Sequence, residues 1–255
     1  MSGEMAKNKA YSNNEKLSKK QFVSTYGSLI GLILLIIIIT VLRPRFISPA
    51  NLRNVFRNAS INGLLAIGMT FVVLTGGIDL SVGAIMGCAG MYSAYFAQSV
   101  KGYPAIVAIL IGLLVGLVFG VFNGFCIAYL KVPAFVGTLG ALSIADSLKF
   151  LLTDAKPIPN LSDSFKTIGG GSFGFIPIPC VIMAVVLIIC FTLLYKTRYG
   201  RYIYAVGGNR NAAHVSGINT KRIICSVYIL TGVLSALAGV IMTARVTSGV
   251  TSTGD

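Results

Sequence analysis

Thr75-Gly76-Gly77-Ile78-Asp79-Leu80-Ser81-Val82-Gly83 holds Asp79, the one charged side chain between Arg57 and Lys101. Its flanks, 61–74 and 82–97, are mostly apolar and small. A carboxylate in such a setting is costly unless it is paired, capped or wetted. Gly76 and Gly77 let the backbone turn or break a helix, and Ser81 adds a hydroxyl. This is the make-up of an irregular polar point inside a membrane protein.

The composition agrees. Hydrophobic residues make up 55% of the 255-residue chain and charged residues 11%, with a mean hydropathy of +0.83. A soluble domain carries about a quarter charged residues, so the bilayer is the natural solvent. The net charge of +14 comes from 21 Lys and Arg against 7 Asp and Glu. These cations cluster in the gaps between apolar runs, as topology signals do. No basic domain stands outside those gaps, so nucleic acid is not an expected partner. The five cysteines form no close pair and suggest neither a disulfide framework nor a metal site.

The pattern predicts an all-α polytopic transmembrane helix bundle with about seven apolar segments. They lie near 25–42, 60–75, 80–98, 104–130, 133–152, 177–195 and 223–244. Residues 1–24 form a polar, lysine-rich segment expected in the cytoplasm, 25–245 the membrane domain, and 246–255 a polar tail. Ser48 and Pro49 resemble a helix start, and a short amphipathic helix at the interface is expected after them. Segment 60–75 is left as either spanning or re-entrant. Asp146 and Lys149 interrupt 133–152, which is expected to be short, broken or cavity-lining. Gly112, Gly116, Gly120 and Gly124 form a bare stripe on one helix face, where another helix can pack closely.

Loop 154–176 has no net charge, whereas 196–222 has six Lys and Arg and no acid. The positive-inside rule puts 196–222 in the cytoplasm. Arg43, Arg45, Arg53 and Arg57 then fall outside, against the same rule. Within the cytoplasmic loop, Asn209 suits an N-cap and Gly217 a helix stop. Between them about two turns, Arg210 to Ser216, are expected to expose Ala212, Ala213 and Val215 to a cytoplasmic partner. Gly207 and Gly208 read as a flexible lead-in. The chain contains no nucleophile–histidine–acid set, no phosphate-cradling loop and no Cys/His cluster, so it is not expected to be an enzyme.

Two motifs together, Gly76-Gly77-Ile78-Asp79-Leu80-Ser81-Val82-Gly83 and Gly200-Arg201…Gly207-Gly208-Asn209…Ala212-Ala213…Ser216-Gly217-Ile218, resemble the membrane permease of ribose-, xylose- and galactose-type ABC sugar importers. Further similar stretches are Ala66 to Thr70, Phe122-Asn123-Gly124 and Pro133 to Gly140. The resemblance implies a bacterial inner-membrane subunit that passes a monosaccharide. It also implies partners: a second permease subunit, a cytoplasmic ABC ATPase and an extracytoplasmic sugar-binding protein. ATP and magnesium would reside on the ATPase, so no cofactor is expected in this chain. Gly200, Arg201, Gly207, Asn209, Arg210, Ala212, Ala213 and Gly217 then belong to the loop that couples to the ATPase.

Relatives continue past the position of Asp255, so a C-terminally shortened chain is the expectation. For Asp79 two roles are open with Gly76, Gly77 and Ser81: capping a helix that restarts at Leu80, or facing the sugar path. The rival readings are a non-transporting membrane scaffold and an intramembrane aspartyl enzyme pairing Asp79 with Asp146. Against the latter, Asp146 and Lys149 share a helix face as a local ion pair.

Overall fold

The structure, a computed structural model, describes residues 19–154 and 156–254. The lysine-rich segment assigned to the cytoplasm lies, through Ser18, outside the described residues. The chain divides into two compact units, 1–52 and 53–255.

The first unit contains helix α1 (Lys19–Leu42) and a 3-10 turn, Pro44–Ile47. Leu29, Leu32, Ile33 and Leu35 of α1 are all exposed to the surroundings. Apolar side chains on these faces suit contact with lipid. Ser48 Oγ accepts the backbone N–H of Asn51 at 3.3 Å, as its N-cap reading expects.

Helix α2 (Pro49–Leu74) corrects the reading of two separate segments, one interfacial and one possibly re-entrant. It is one helix of 26 residues, long enough to span. No proline follows Pro49 in it. Ser60 turns its hydroxyl back onto the Phe56 carbonyl at 2.7 Å, so nothing stops the ladder. Helix α3 (Val82–Ala97) has 16 residues, two fewer at its start than the apolar pattern proposes. At about 1.5 Å per residue it falls short of a bilayer core of about 30 Å.

Helix α4 (Ala105–Ala128) and α5 (Ala134–Thr153) follow. The interruption expected in α5 is absent, because Asp146 and Lys149 bind each other at 2.8 Å along the helix. The pair neutralises itself without breaking a backbone bond. Residues 156–177 contain helix α6 (Asp163–Gly170) and a two-stranded hairpin, β1 (Ser172–Phe173) with β2 (Ile176–Pro177). Phe165 and Leu161 anchor this cap and are fully buried. Helix α7 (Ile178–Lys196) is followed by α8 (Arg198–Gly208), α9 (Arg210–Val215) and α10 (Thr220–Val246).

Helix α10 is the axis of the second unit. Its apolar window is 61% buried, against 17% for α7, so α10 lies inside and α7 faces lipid. Small residues make the central position possible. A Cβ on Gly232 would strike Gly116 and Gly120 of α4, and one on Gly239 would strike Met86 and Gly90 of α3. Without a hydrophobic drive between helices in lipid, such close approach supplies the packing.

Cations stand at both ends of this unit. Lys131, Arg210, Lys221 and the start of α10 share one end. The other holds α6 and the end of α10, where the Arg245 guanidinium donates to Asn58 Oδ1. Arg57 lies there too, donating to the Gly170 carbonyl at 2.6 Å. The stretch read as a polar tail is folded rather than loose: Gly249 bridges Ile158, and Gly254 packs on Gly83.

Candidate functional site

The chain leaves α2 through Gly76, whose φ of +75° a residue with a Cβ would resist. Gly77 then passes so close to Tyr228 of α10 that a Cβ would lie 2.7 Å from the phenol oxygen. The Tyr228 hydroxyl donates to the Ile78 carbonyl at 3.1 Å. Residues 75–81 are thereby pinned between two helices as an ordered, non-helical link.

Asp79 is 2% exposed. Its Oδ1 accepts the Ser81 backbone N–H at 2.9 Å and the Ser81 hydroxyl at 2.6 Å. Asn123 of α4 donates its Nδ2–H to Ser81 Oγ at 2.8 Å. The helix begins at Val82 with Ser81 at the N-cap position, not at Leu80 as the capping reading had it. Asp79 therefore lies two residues before the N-cap position and acts on the helix start only through a turn onto Ser81. The reason is local: its side chain closes a ring to the N–H two residues on, which satisfies Ser81 before the helix starts.

Asp79 and Asp146 have separate partners, Ser81 and Lys149. An aspartyl pair sharing a proton has no support in this arrangement. Lys149 is fully buried and also donates to the Thr253 carbonyl at 3.3 Å.

The glycine stripe lies where its spacing places it, on the α4 face toward α10. A Cβ at Gly120 would meet Ile229 at 2.7 Å and one at Gly124 would meet Cys225 at 2.8 Å. Gly116 faces Gly232, and Gly112 faces Val240 and Ala89. These four residues position Asn123, which sits among them and is fully buried.

At the basic end, Thr197 Oγ1 accepts the Gly200 N–H at 3.3 Å and starts α8. Gly200 packs on the Leu194 carbonyl, and Arg201 is exposed beside it. Gly207 and Gly208 are not a flexible lead-in, because both belong to α8. Gly207 is a contact point whose missing Cβ admits the Leu74 carbonyl. Asn209 caps α9 by accepting the Ala212 N–H at 2.9 Å, and Gly217 ends it at φ +84°.

The expected apolar face of α9 divides in two. Ala213 is buried against the bundle with Ile203, Val206 and Ile224, so it cannot meet a partner. Ala212 is exposed, and Val215 is 88% exposed, with Arg210 exposed on the same short helix. The helix is docked on one side and open on the other.

Beside α9 a cleft of about 990 Å³ reaches from Gly76 and Gly77 to Lys131 and Lys221. Tyr228 lines it, so the cleft and the pinned link share a wall. Asn123 and Tyr228 were not singled out from sequence. Asn123 left a signal, as the only amide, hydroxyl or charged side chain in 105–128. Tyr228 left none, since its partner Ile78 is 150 residues away.

The family described as "Branched-chain amino acid transport system / permease component" matches residues 51–254. The Ribose import permease protein RbsC of Bacillus subtilis (strain 168) is 42% identical over 231 residues, covering 90% of this chain and 71% of that protein. The Xylose transport system permease protein XylH of Haemophilus influenzae is 32% identical, covering 82% of this chain and 72% of its own. The D-allose transport system permease protein AlsC of Escherichia coli (strain K12) is 35% identical, with 88% and 69% covered. No solved structure matches the chain. The apolar helices, the broken α2–α3 passage and these similarities agree, and the chain belongs to the membrane permease family of ABC-type sugar importers.

Proposed function

We propose that this chain is the membrane subunit of an ATP-driven importer and forms part of the path for a monosaccharide such as ribose, xylose or a related sugar. An extracytoplasmic binding protein delivers the sugar, a cytoplasmic ATPase supplies the work, and a second permease subunit completes the path. ATP hydrolysis belongs to the partner, not to this chain.

The observation that carries this reading is α9. A six-residue helix is too short to be stable alone. Here it is capped at Asn209, stopped at Gly217 and held by Ala213, yet it presents Val215 almost fully to solvent. A capped helix with an exposed valine and an arginine fits a groove on a partner. Movement of that partner then reaches the bundle through Ala213, Ile203 and Val206.

Co-purification with a co-expressed cytoplasmic ABC ATPase tests the reading. Deleting 210–216, or replacing Val215 by Asp, should abolish ATPase recovery while membrane insertion persists. Full recovery with the deleted chain would remove the coupling role from α9. Uptake of labelled ribose into vesicles with binding protein and ATPase tests the sugar.

A further inference from the structure

The cleft beside α9 has one sign of charge. Lys131, Arg210 and Lys221 line it together with His214, and no Asp or Glu does. Among the described residues none of the three cations forms an ion pair. Lys221 lies over the Tyr129 ring at 5.7 Å, which leaves its three N–H donors without a carboxylate. A concave surface lined by one sign focuses its field and raises the local concentration of counter-ions.

Lys131 sits on the turn between α4 and α5. Its φ is +60°, in the left-handed region that glycine adopts freely. Two residues on, Pro133 occupies the N-cap position of α5 without a side-chain cap. The first free N–H groups of that helix favour an anion at the same end of the cleft.

We propose that this cleft binds a phosphate-bearing anion, held by Lys131 on the α4–α5 turn, Lys221 on α10 and Arg210 on α9. Lysine supplies point charge and arginine a fork of donors, and phosphate accepts from both. The source is either the headgroup of an anionic lipid of the cytoplasmic leaflet or a soluble phosphate ester. Because one wall is α9, the bound anion ties that helix to the bundle and sets how firmly it is held. The inference goes beyond the transport reading and does not require it.

The test uses the whole chain in neutral detergent, without ATPase or sugar. Unfolding is followed with a thiol-reactive dye that reports its five free cysteines. Titrants are inorganic phosphate, ribose 5-phosphate and dioctanoyl-phosphatidylglycerol, with ribose and dioctanoylglycerol as phosphate-free controls. A saturable rise in the unfolding temperature is expected from at least one phosphate compound. Its apparent affinity should fall at least tenfold in Lys131→Gln/Lys221→Gln and stay unchanged in Lys196→Gln/Arg198→Gln, whose exposed cations lie outside the cleft. Lys131→Gly/Lys221→Gln guards against misfolding, since glycine suits the positive φ; it should fold and still lose binding. A response to the soluble esters identifies a soluble ligand, and one confined to phosphatidylglycerol a headgroup. Equal titration of cleft and control variants, or no response to any phosphate compound, overturns the proposal.

Discussion

At Asp79 one carboxylate oxygen satisfies two donors of Ser81 inside an apolar bundle. Leaving such donors unpaired costs about 1–3 kcal/mol each. Asn in place of Asp keeps an acceptor oxygen at the same reach. Asp79→Asn should therefore retain assembly and most uptake, and Asp79→Leu should lose both. Size-exclusion profiles and vesicle uptake of the two variants decide this; equal loss in both would show that the charge itself is needed. Gly77 gives a second test at this scale. Gly77→Ala places a methyl against the Tyr228 hydroxyl, and Gly77→Ala/Tyr228→Phe removes that oxygen. The double variant should recover part of the thermal stability that the single one loses. No recovery would mean that the strain lies in the backbone of the link instead.

Helices α4 and α10 approach closely because glycines face each other. Gly116→Ala would drive a methyl into Gly232 and Ala236. Overpacking of this kind costs about 1–3 kcal/mol. Gly140, on α5, has open space around it. Gly140→Ala should leave stability unchanged or raise it by up to about 1 kcal/mol, through helix propensity alone. Comparing the unfolding temperatures of these two variants separates packing from propensity. A loss of equal size in both would sink the interpretation of the stripe as a contact.

For the second unit as a whole, polarity of charge sets orientation. The positive-inside rule leads us to expect its basic end, with α8 and α9, in the cytoplasm and the cap built on α6 outside. Val100 and Val215 lie on opposite ends of this unit and are 92% and 88% exposed. In a background with the partly exposed Cys126, Cys180 and Cys225 replaced by Ala, Val100→Cys should react with an impermeant maleimide in whole cells. Val215→Cys should react only after the membrane is opened. The reverse pattern would invert the topology and remove α9 from reach of any cytoplasmic ATPase.

Solvent, class and most elements were legible in the chain before any packing was known. Apolar runs without charge must be helices in lipid, since no other open structure satisfies its backbone there. The sole acid in 58–100, the fourfold glycine spacing, and the Asn209 and Gly217 boundaries were readable because each acts through neighbours in the chain. Tertiary structure alone decided what lies far apart in sequence. Asn123 meets Ser81 across 42 residues, and Tyr228 meets Ile78 across 150. It also decided that Ala213 turns inward, that Gly207 is a contact point, and that Lys131, Arg210 and Lys221 enclose one cleft. Helix periodicity says which residues share a face but not what that face meets; the packing of α10 through its neighbours supplies that.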